Sequence, residues 1–436
     1  MLRLFKNGKA TGDNLITRIK LRTRGKHTAV LSFGDGSQGA LGLPISVVGM
    51  SGDAYEPTPV PGLPLDVSSI SAGHYHSLAV TSHGEIWAWG RNNEAQLGRG
   101  LHASRETWNE AKRVEGMKVS AKAAFASGVV SASIGEDGSL WVWGKSKRGQ
   151  LGLGRGITEA ISPSHVKSLS GEEIVKVSFG WGHALALTKD GKLFGWGYSA
   201  DGRLGQLGGT VEASFLESSV SMSKTANKIS CSTSEAAEIF LLEAIEKEKD
   251  MPIIWEPCLI KELEDVNVVD IACGHDHSLV LCSNGTLLSG GSNVYGQLGR
   301  TNQELDLLRV DTGLHTISLV ASGLGHSLAI CPSKNILSWG WNQNSQLGRK
   351  GPENMPLLVQ GCLEQEIVNS LSGGRAHSIA ITSKGEIWSW GSGRNGRLGL
   401  GSSIDEKEPM LIECLEGSEV LQAVCGLDHS LALVSY

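Results

Sequence analysis

Between Ser77 and Trp89 apolar and small or polar positions alternate in two short runs. Ser77-Leu78-Ala79-Val80 is the first and Ile86-Trp87-Ala88-Trp89 the second, with His83-Gly84 between them. A period of two on either side of a glycine turn predicts a β-hairpin. The unit "AGHYHSLAVTSHGEIWAWGRNNEAQLG" (72–98) recurs as "ASGVVSASIGEDGSLWVWGKSKRGQLG" (126–152) and "FGWGHALALTKDGKLFGWGYSADGRLG" (179–205), with further copies starting at Ala272, Ala321 and Ser372. Half a copy, "AVLSFGDGSQGALG", stands at 29–42, and the complementary half, "VCGLDHSLALVSY", at 424–436. Six whole copies and one split copy make seven.

Aligning the glycine three residues before each histidine gives Gly73, Gly128, Gly180, Gly274, Gly323, Gly374 and Gly426, in steps of 55, 52, 94, 49, 51 and 52 residues. A repeat near fifty residues with strand patterning points to propeller blades or a solenoid. The proline of Pro57/Val60, Pro163/Val166, Pro257/Ile260, Pro356/Val359 and Pro409/Ile412 suits the start of an outer strand, where a missing N–H costs little, and makes up to four strands per unit. Because each end supplies half of one unit, the two halves are expected to pair and close a ring, hiding its edges. The chain is therefore read as all-β: a seven-bladed β-propeller closed by a split blade (27–436), preceded by a basic segment (1–26).

The long step carries an insert, placed at 206–256. After a Ser/Thr-rich stretch, residues 235–250 have the spacing of a capped amphipathic helix, with Phe240, Leu241 and Ile245 as candidate docking residues. Packing on the propeller or docking to a partner both fit this pattern.

Charge adds a second division. The net charge is −6, yet residues 1–26 hold eight basic residues against Asp13 alone, +7, which leaves −13 on the remainder. A body this acidic is a poor general nucleic-acid surface. The basic, acid-poor head reads as a mitochondrial targeting segment or as a basic arm, which would suit a nuclear or cytoplasmic protein. No apolar run reaches membrane-spanning length, and the 8 cysteines show no metal or disulfide spacing.

Candidate chemistry is sparse. The repeated histidines (76, 183, 277, 326, 377, 429, with Ser131 in the remaining copy) sit on separate blades, so they cannot converge on a metal or a substrate. Local backbone hydrogen bonds are expected to satisfy them. The repeated tryptophans are expected to fill the wedges between blades. No P-loop, nucleophile elbow or HExxH is present, so neither catalytic nor metal residues are assigned, no cofactor is implied and the chain is read as a non-enzyme. What varies is the pair of residues before each histidine, on loops expected to gather on one face: His74, Tyr75, Trp181, His275, Asp276, Arg375 and Asp428 are the partner-facing candidates.

The unit Gly-x-x-His-Ser-Leu-Ala … Trp-x-Trp-Gly … Gly-Gln-Leu-Gly resembles that of the regulator of chromosome condensation family. The resemblance covers residues 27–436 apart from the insert and implies a seven-bladed propeller. It also implies one of several functions: guanine-nucleotide exchange on a small GTPase, ultraviolet-B reception in plants, or organellar roles in RNA processing and respiratory-complex assembly. The photoreceptor's Gly-Trp-Arg-His-Thr pattern survives here only as Trp181, followed by Gly182, which disfavours light sensing. With its basic head the chain is most similar to the plant mitochondrial members. The expected role is a monomeric mitochondrial scaffold for protein partners, with indirect RNA association and no membrane contact. The alternative is an exchange factor for a small GTPase.

Overall fold

The computed structural model describes residues 27–44, 52–100, 108–207, 252–301, 304–313, 315–333 and 335–436. The basic head, residues 1–26, and the helix expected at 235–250, with Phe240, Leu241 and Ile245, lie outside the described residues. Seven four-stranded antiparallel sheets form the propeller. In blade 1, strands Val67–Ala72, His76–Thr81, Ile86–Gly90 and Lys112–Arg113 run from the channel to the rim, and blades 2 to 6 repeat the order. In blade 7 the two inner strands are Glu419–Cys425 and His429–Ser435, and the outer two are Thr28–Gly34 and Ala54–Pro59. The closing register runs unbroken from Thr28↔Ser435 to Gly34↔His429. Among the described residues the other regular elements are short 3-10 turns, and no helix is long and apolar enough to cross a membrane.

The tryptophans of the second slot do fill the wedges, whereas Trp87 and Trp388 of the first slot are only half-buried. Trp89, Trp143, Trp196, Trp339 and Trp390 are fully buried, and each indole N–H reaches back to the carbonyl that precedes Leu-Gly in the neighbouring blade, at 2.7–2.9 Å. The glycine after that leucine has a purpose. A Cβ on Gly98 would stand 3.0 Å from Trp143 Nε1, and its φ of +63° is a region that side chains disfavour. Where blade 4 has Gly290 in place of tryptophan, Leu307 occupies the space.

The histidines are satisfied differently from the sequence expectation. Each imidazole crosses to the next blade rather than to its local backbone. His76 Nε2 meets Ser131 Oγ at 2.8 Å, His183 meets Ser278 at 2.9 Å, and His277, His326, His377 and His429 meet Ser327, Ser378, Ser430 and Ser77 at 3.0 Å. Each serine spends its one proton on a carbonyl, as Ser378 does on Gln346 O at 2.8 Å. The imidazole must therefore donate from Nε2. The Nδ1 atoms of five of the six face no protein partner. Burial accordingly holds the histidines far below their usual range, to about 3 for His76 and His326 and about 4 for His277 and His429.

This relay corrects the alignment of the second copy. In blade 2 Ser127, not Gly128, takes the place of Gly73: its N–H bonds to Val130 O as that of Gly73 does to His76 O. Val130 fills the histidine slot and Ser131 the serine slot, so the variable pair is Gly128-Val129 rather than Val129-Val130. The serine slot that Val130 would address in blade 3 holds Ala184, and both are fully buried. Where one partner of the relay turns apolar, so does the other.

The prolines also sit otherwise than expected. Pro57, Pro163, Pro257 and Pro409 lie inside outer strands that carry register shifts in blades 7, 2, 3 and 6, and only Pro356 precedes its strand, Leu357–Leu358. An edge-strand bulge tolerates the missing N–H as well as a strand start does. Strand Ile253–Leu259 is the outer strand of blade 3, so residues 253–256, assigned to the insert from the sequence, belong to the blade.

The Val130–Ala184 junction leads to a prediction for its relatives. Ser378→Ala should cost about 1–3 kcal/mol because it strands the buried His326 N–H, whereas adding His326→Val should recover part of that loss. Urea unfolding of the two single variants and the double variant checks this. Additive losses would show that the pair is not coupled.

Candidate partner-binding face

The second strand of each blade begins opposite the end of the third, as His277↔Gly291 illustrates. The loops before the second strands and after the third strands therefore crowd one end of the ring. They are held there by a belt of backbone hydrogen bonds that passes from blade to blade. Trp181 N donates to His275 O (2.8 Å), His275 N to Leu324 O (3.0 Å), Leu324 N to Gly374 O (2.9 Å), Arg375 N to Leu427 O (3.0 Å) and Leu427 N to Gly73 O (3.1 Å). The variable side chains thus project from a fixed frame.

At the channel mouth three blades meet in an aromatic stack. The indole of Trp181 lies parallel to the imidazoles of His74 and His275, with centroids 5.6 and 5.2 Å away and interplanar angles of 10°. His74 belongs to blade 1 and Trp181 to blade 3. They meet because Gly128 of blade 2 has no side chain: a Cβ there would lie 3.1 Å from His74 Nδ1 and 3.6 Å from Trp181. The Arg148 guanidinium covers the Trp181 ring at 4.6 Å and lies 5.7 Å from that of Tyr198, a cation–π arrangement. Burial first, then repulsion from His275, Arg375 and His429, holds His74 down to about 4.

The polar candidates pair beside this stack. Asp276 accepts from Arg203 at 2.8 Å and touches His275 Nδ1 at 2.6 Å. Burial works against its ionisation, but the His275 hydrogen bond and the charges of His275 and Arg203 keep its pKa below the usual carboxylate range. Asp428, nearly buried, joins Arg375 (2.7 Å) and Arg397 (2.6 Å). Tyr75 stands 5.4 Å from the Arg91 guanidinium. The seven candidates named from the sequence therefore share one face, in two clusters: His74, Trp181, His275 and Asp276 at the mouth, and Tyr75, Arg375 and Asp428 between blades 6, 7 and 1.

Sequence reasoning missed the residues that complete these clusters. Arg91, Arg148, Arg203 and Arg397 come from the loops after the third strands and Tyr198 from the end of one, while Tyr295 and Trp341, from the same set of loops, form a separate pair with ring centroids 5.7 Å apart. One signal was available: arginine replaces the residue before Leu-Gly in two copies, Arg203 and Arg397, the two whose next blade carries Gly290 or Phe33 in place of tryptophan. Among the described residues no group of three or more His, Cys, Asp or Glu is placed to hold a metal ion.

Comparison with known proteins agrees with this architecture. Residues 29–432 match the RCC1-like domain. The chain is 28% identical over 387 residues to the ultraviolet-B receptor UVR8 of Arabidopsis thaliana, covering 88% of this chain and 66% of that protein. It is 27% identical over 385 residues to the mitochondrial RCC1 domain-containing protein RUG3 of the same plant, covering 85% and 65%. It thus spans just under two thirds of the length of both relatives. The solved structure of Prp20p from Saccharomyces cerevisiae, described with its binding to Gsp1p and histones, superposes with a TM-score of 0.74 at 21% identity, covering 94% of this chain and 92% of that one. With seven sheets, a split closing blade and a match that runs nearly the length of the ring, the chain belongs to the RCC1-like domain family.

Proposed function

We propose that this chain is a non-enzymatic scaffold that binds protein partners through the face built around Trp181, and that it works in mitochondria in support of RNA processing and respiratory-complex biogenesis. The observation that carries the binding role is the make-up of the face. Three of the chain's five tyrosines, Tyr75, Tyr198 and Tyr295, stand there with Trp181, Trp341, Arg91 and Arg148. Tyrosine, tryptophan and arginine are the residues that dominate protein interfaces. Variation without a role would scatter such residues rather than concentrate them. The adjacent Val294 is 79% exposed, an apolar group that its own blade leaves uncovered. The likeness to mitochondrial RUG3 and the +7 head support the compartment. A single tryptophan among the residues that rim the channel mouth speaks against light sensing.

The test joins location to company. Residues 1–40 fused to a fluorescent protein should enter mitochondria, and the tagged full chain should co-purify with proteins of RNA processing or complex assembly. A nuclear or diffuse signal, with a small GTPase as the main companion, would replace this reading with that of an exchange factor.

A further inference from the structure

The two arginines that precede Leu-Gly build the same device twice. Arg203 reaches Asp276 of blade 4, and Arg397 reaches Asp428 of blade 7, each aspartate standing just before the blade's histidine. Their charge balances are opposite. Arg203 lies between two carboxylates, Asp276 at 2.8 Å and Asp201 at 3.1 Å. In the second device Asn395 replaces Asp201, Arg394 replaces Ala200 and Arg375 stands in the place of Trp181. One carboxylate, Asp428, is now shared by two guanidiniums, with Arg394 exposed beside them. Arg91 and Tyr75 of blade 1 and Asp35 of blade 7 close the depression, so its walls carry four arginines against two aspartates, with Arg91 already paired to Glu94 at 2.7 Å. The crowding is felt: Arg397 is pushed down by burial and by Arg375 and Arg394, although Asp428 and Asp35 oppose this. An excess of arginine in a body carrying −13 does not follow from composition.

We infer that this depression between blades 6, 7 and 1 receives a carboxylate side chain from an acidic segment of a protein partner, held by Arg394 and Arg375. Guanidinium forks match carboxylates in a bidentate geometry that lysines would not offer. A short acidic segment meets only the local field, whereas an extended nucleic acid would also meet the acidic body within a Debye length or so. The inference rests on the reading of this face as a partner surface and adds the chemistry of what it takes.

The probe is a hexaglutamate peptide carrying one benzoylphenylalanine, photo-crosslinked to the full chain, with the labelled residues mapped by mass spectrometry. Mapping separates the depression from the basic residues 1–26. Labelling is expected at residues lining the depression, such as Tyr75, Ser37 and Asn395, and not with a hexaglutamine control. It should fall about tenfold or more in Arg394→Glu, the scale of a lost charge-assisted contact. Arg394→Ala serves as a milder second variant, and Asp201→Asn at the other device should change nothing. Labelling confined to other regions, or unchanged in both Arg394 variants, overturns the proposal. So does a thymidine oligonucleotide or inorganic phosphate that displaces the peptide at lower concentration than unlabelled hexaglutamate. If the peptide fails to label the depression while Trp181→Ala still releases partners, the depression falls and the face stands.

Discussion

Deleting residues 424–436 is expected to abolish cooperative folding. The segment contains the strand His429–Ser435, every residue of which is buried. Leu431, Leu433 and Val434 alone account for about 5–9 kcal/mol of apolar burial, comparable with the whole stability of an ordinary domain. The deletion also removes both sides of the closing relay, His377–Ser430 and His429–Ser77, and leaves the strand Thr28–Gly34 with no inner neighbour. Exposed strand edges on both sides of the gap invite association. The measurement is solubility together with thermal unfolding followed by circular dichroism. A truncated chain that stays soluble and melts as sharply as the full one, at the same temperature, would contradict ring closure.

Acid should destabilise the ring in a window set by the buried histidines. The six relay imidazoles are neutral in the folded protein, with pKa values lowered by burial from 6.5 to about 3 for His76 and His326, to about 4 for His277 and His429, and well below 6.5 for His183 and His377. The unfolded chain binds protons below its ordinary histidine pKa while the folded chain does not. Stability is therefore fully present above about 6.5 and is lost as pH falls toward the folded values. Each histidine contributes up to about 1.4 kcal/mol per pH unit within that window. Six acting together bring the loss between pH 7.5 and 5.5 to several kcal/mol. Asp276, shifted below its ordinary 3.8, adds a separate loss only at lower pH. Urea unfolding at the two pH values measures the effect, and equal midpoints would show that the relay tolerates charge.

How much could be read beforehand depends on whether a residue acts within its repeat or across to another. The hairpins, the seven units and the split blade follow from a period of two and a repeat near fifty residues, both local properties of the chain. The wedge role of Trp89 and its equivalents was legible for the same reason. The partners of the histidines were not, because each lies in the next blade, between 50 and 352 residues away along the chain, and sequence offers no direct sign of that contact. A sign did exist in Val130 and Ala184, where the relay lapses on both sides at once, but placing Gly128 in the wrong slot hid it. The same one-residue error concealed the purpose of Gly128, which makes room for His74 to reach Trp181. The variable loop pairs were found by their irregularity. Their companions Arg148, Arg203 and Arg397 lie after the third strand, where only the closed ring brings them alongside.

The division of labour between buried repeat and variable loop is the centre of this account, and one pair of variants tests it. Trp390 is fully buried in a wedge, while Trp181 stands half-buried at the channel mouth against Arg148. The measurement is recovery of co-purifying partners with tagged full-length Trp181→Ala and Trp390→Ala, normalised to folded protein and accompanied by melting temperatures. Trp390→Ala is predicted to lose about 3–5 kcal/mol of stability while its folded fraction keeps its partners. Trp181→Ala is predicted to melt within a few degrees of the parent and to lose them. A Trp181→Ala protein that is folded and retains every partner would contradict the assignment of this face.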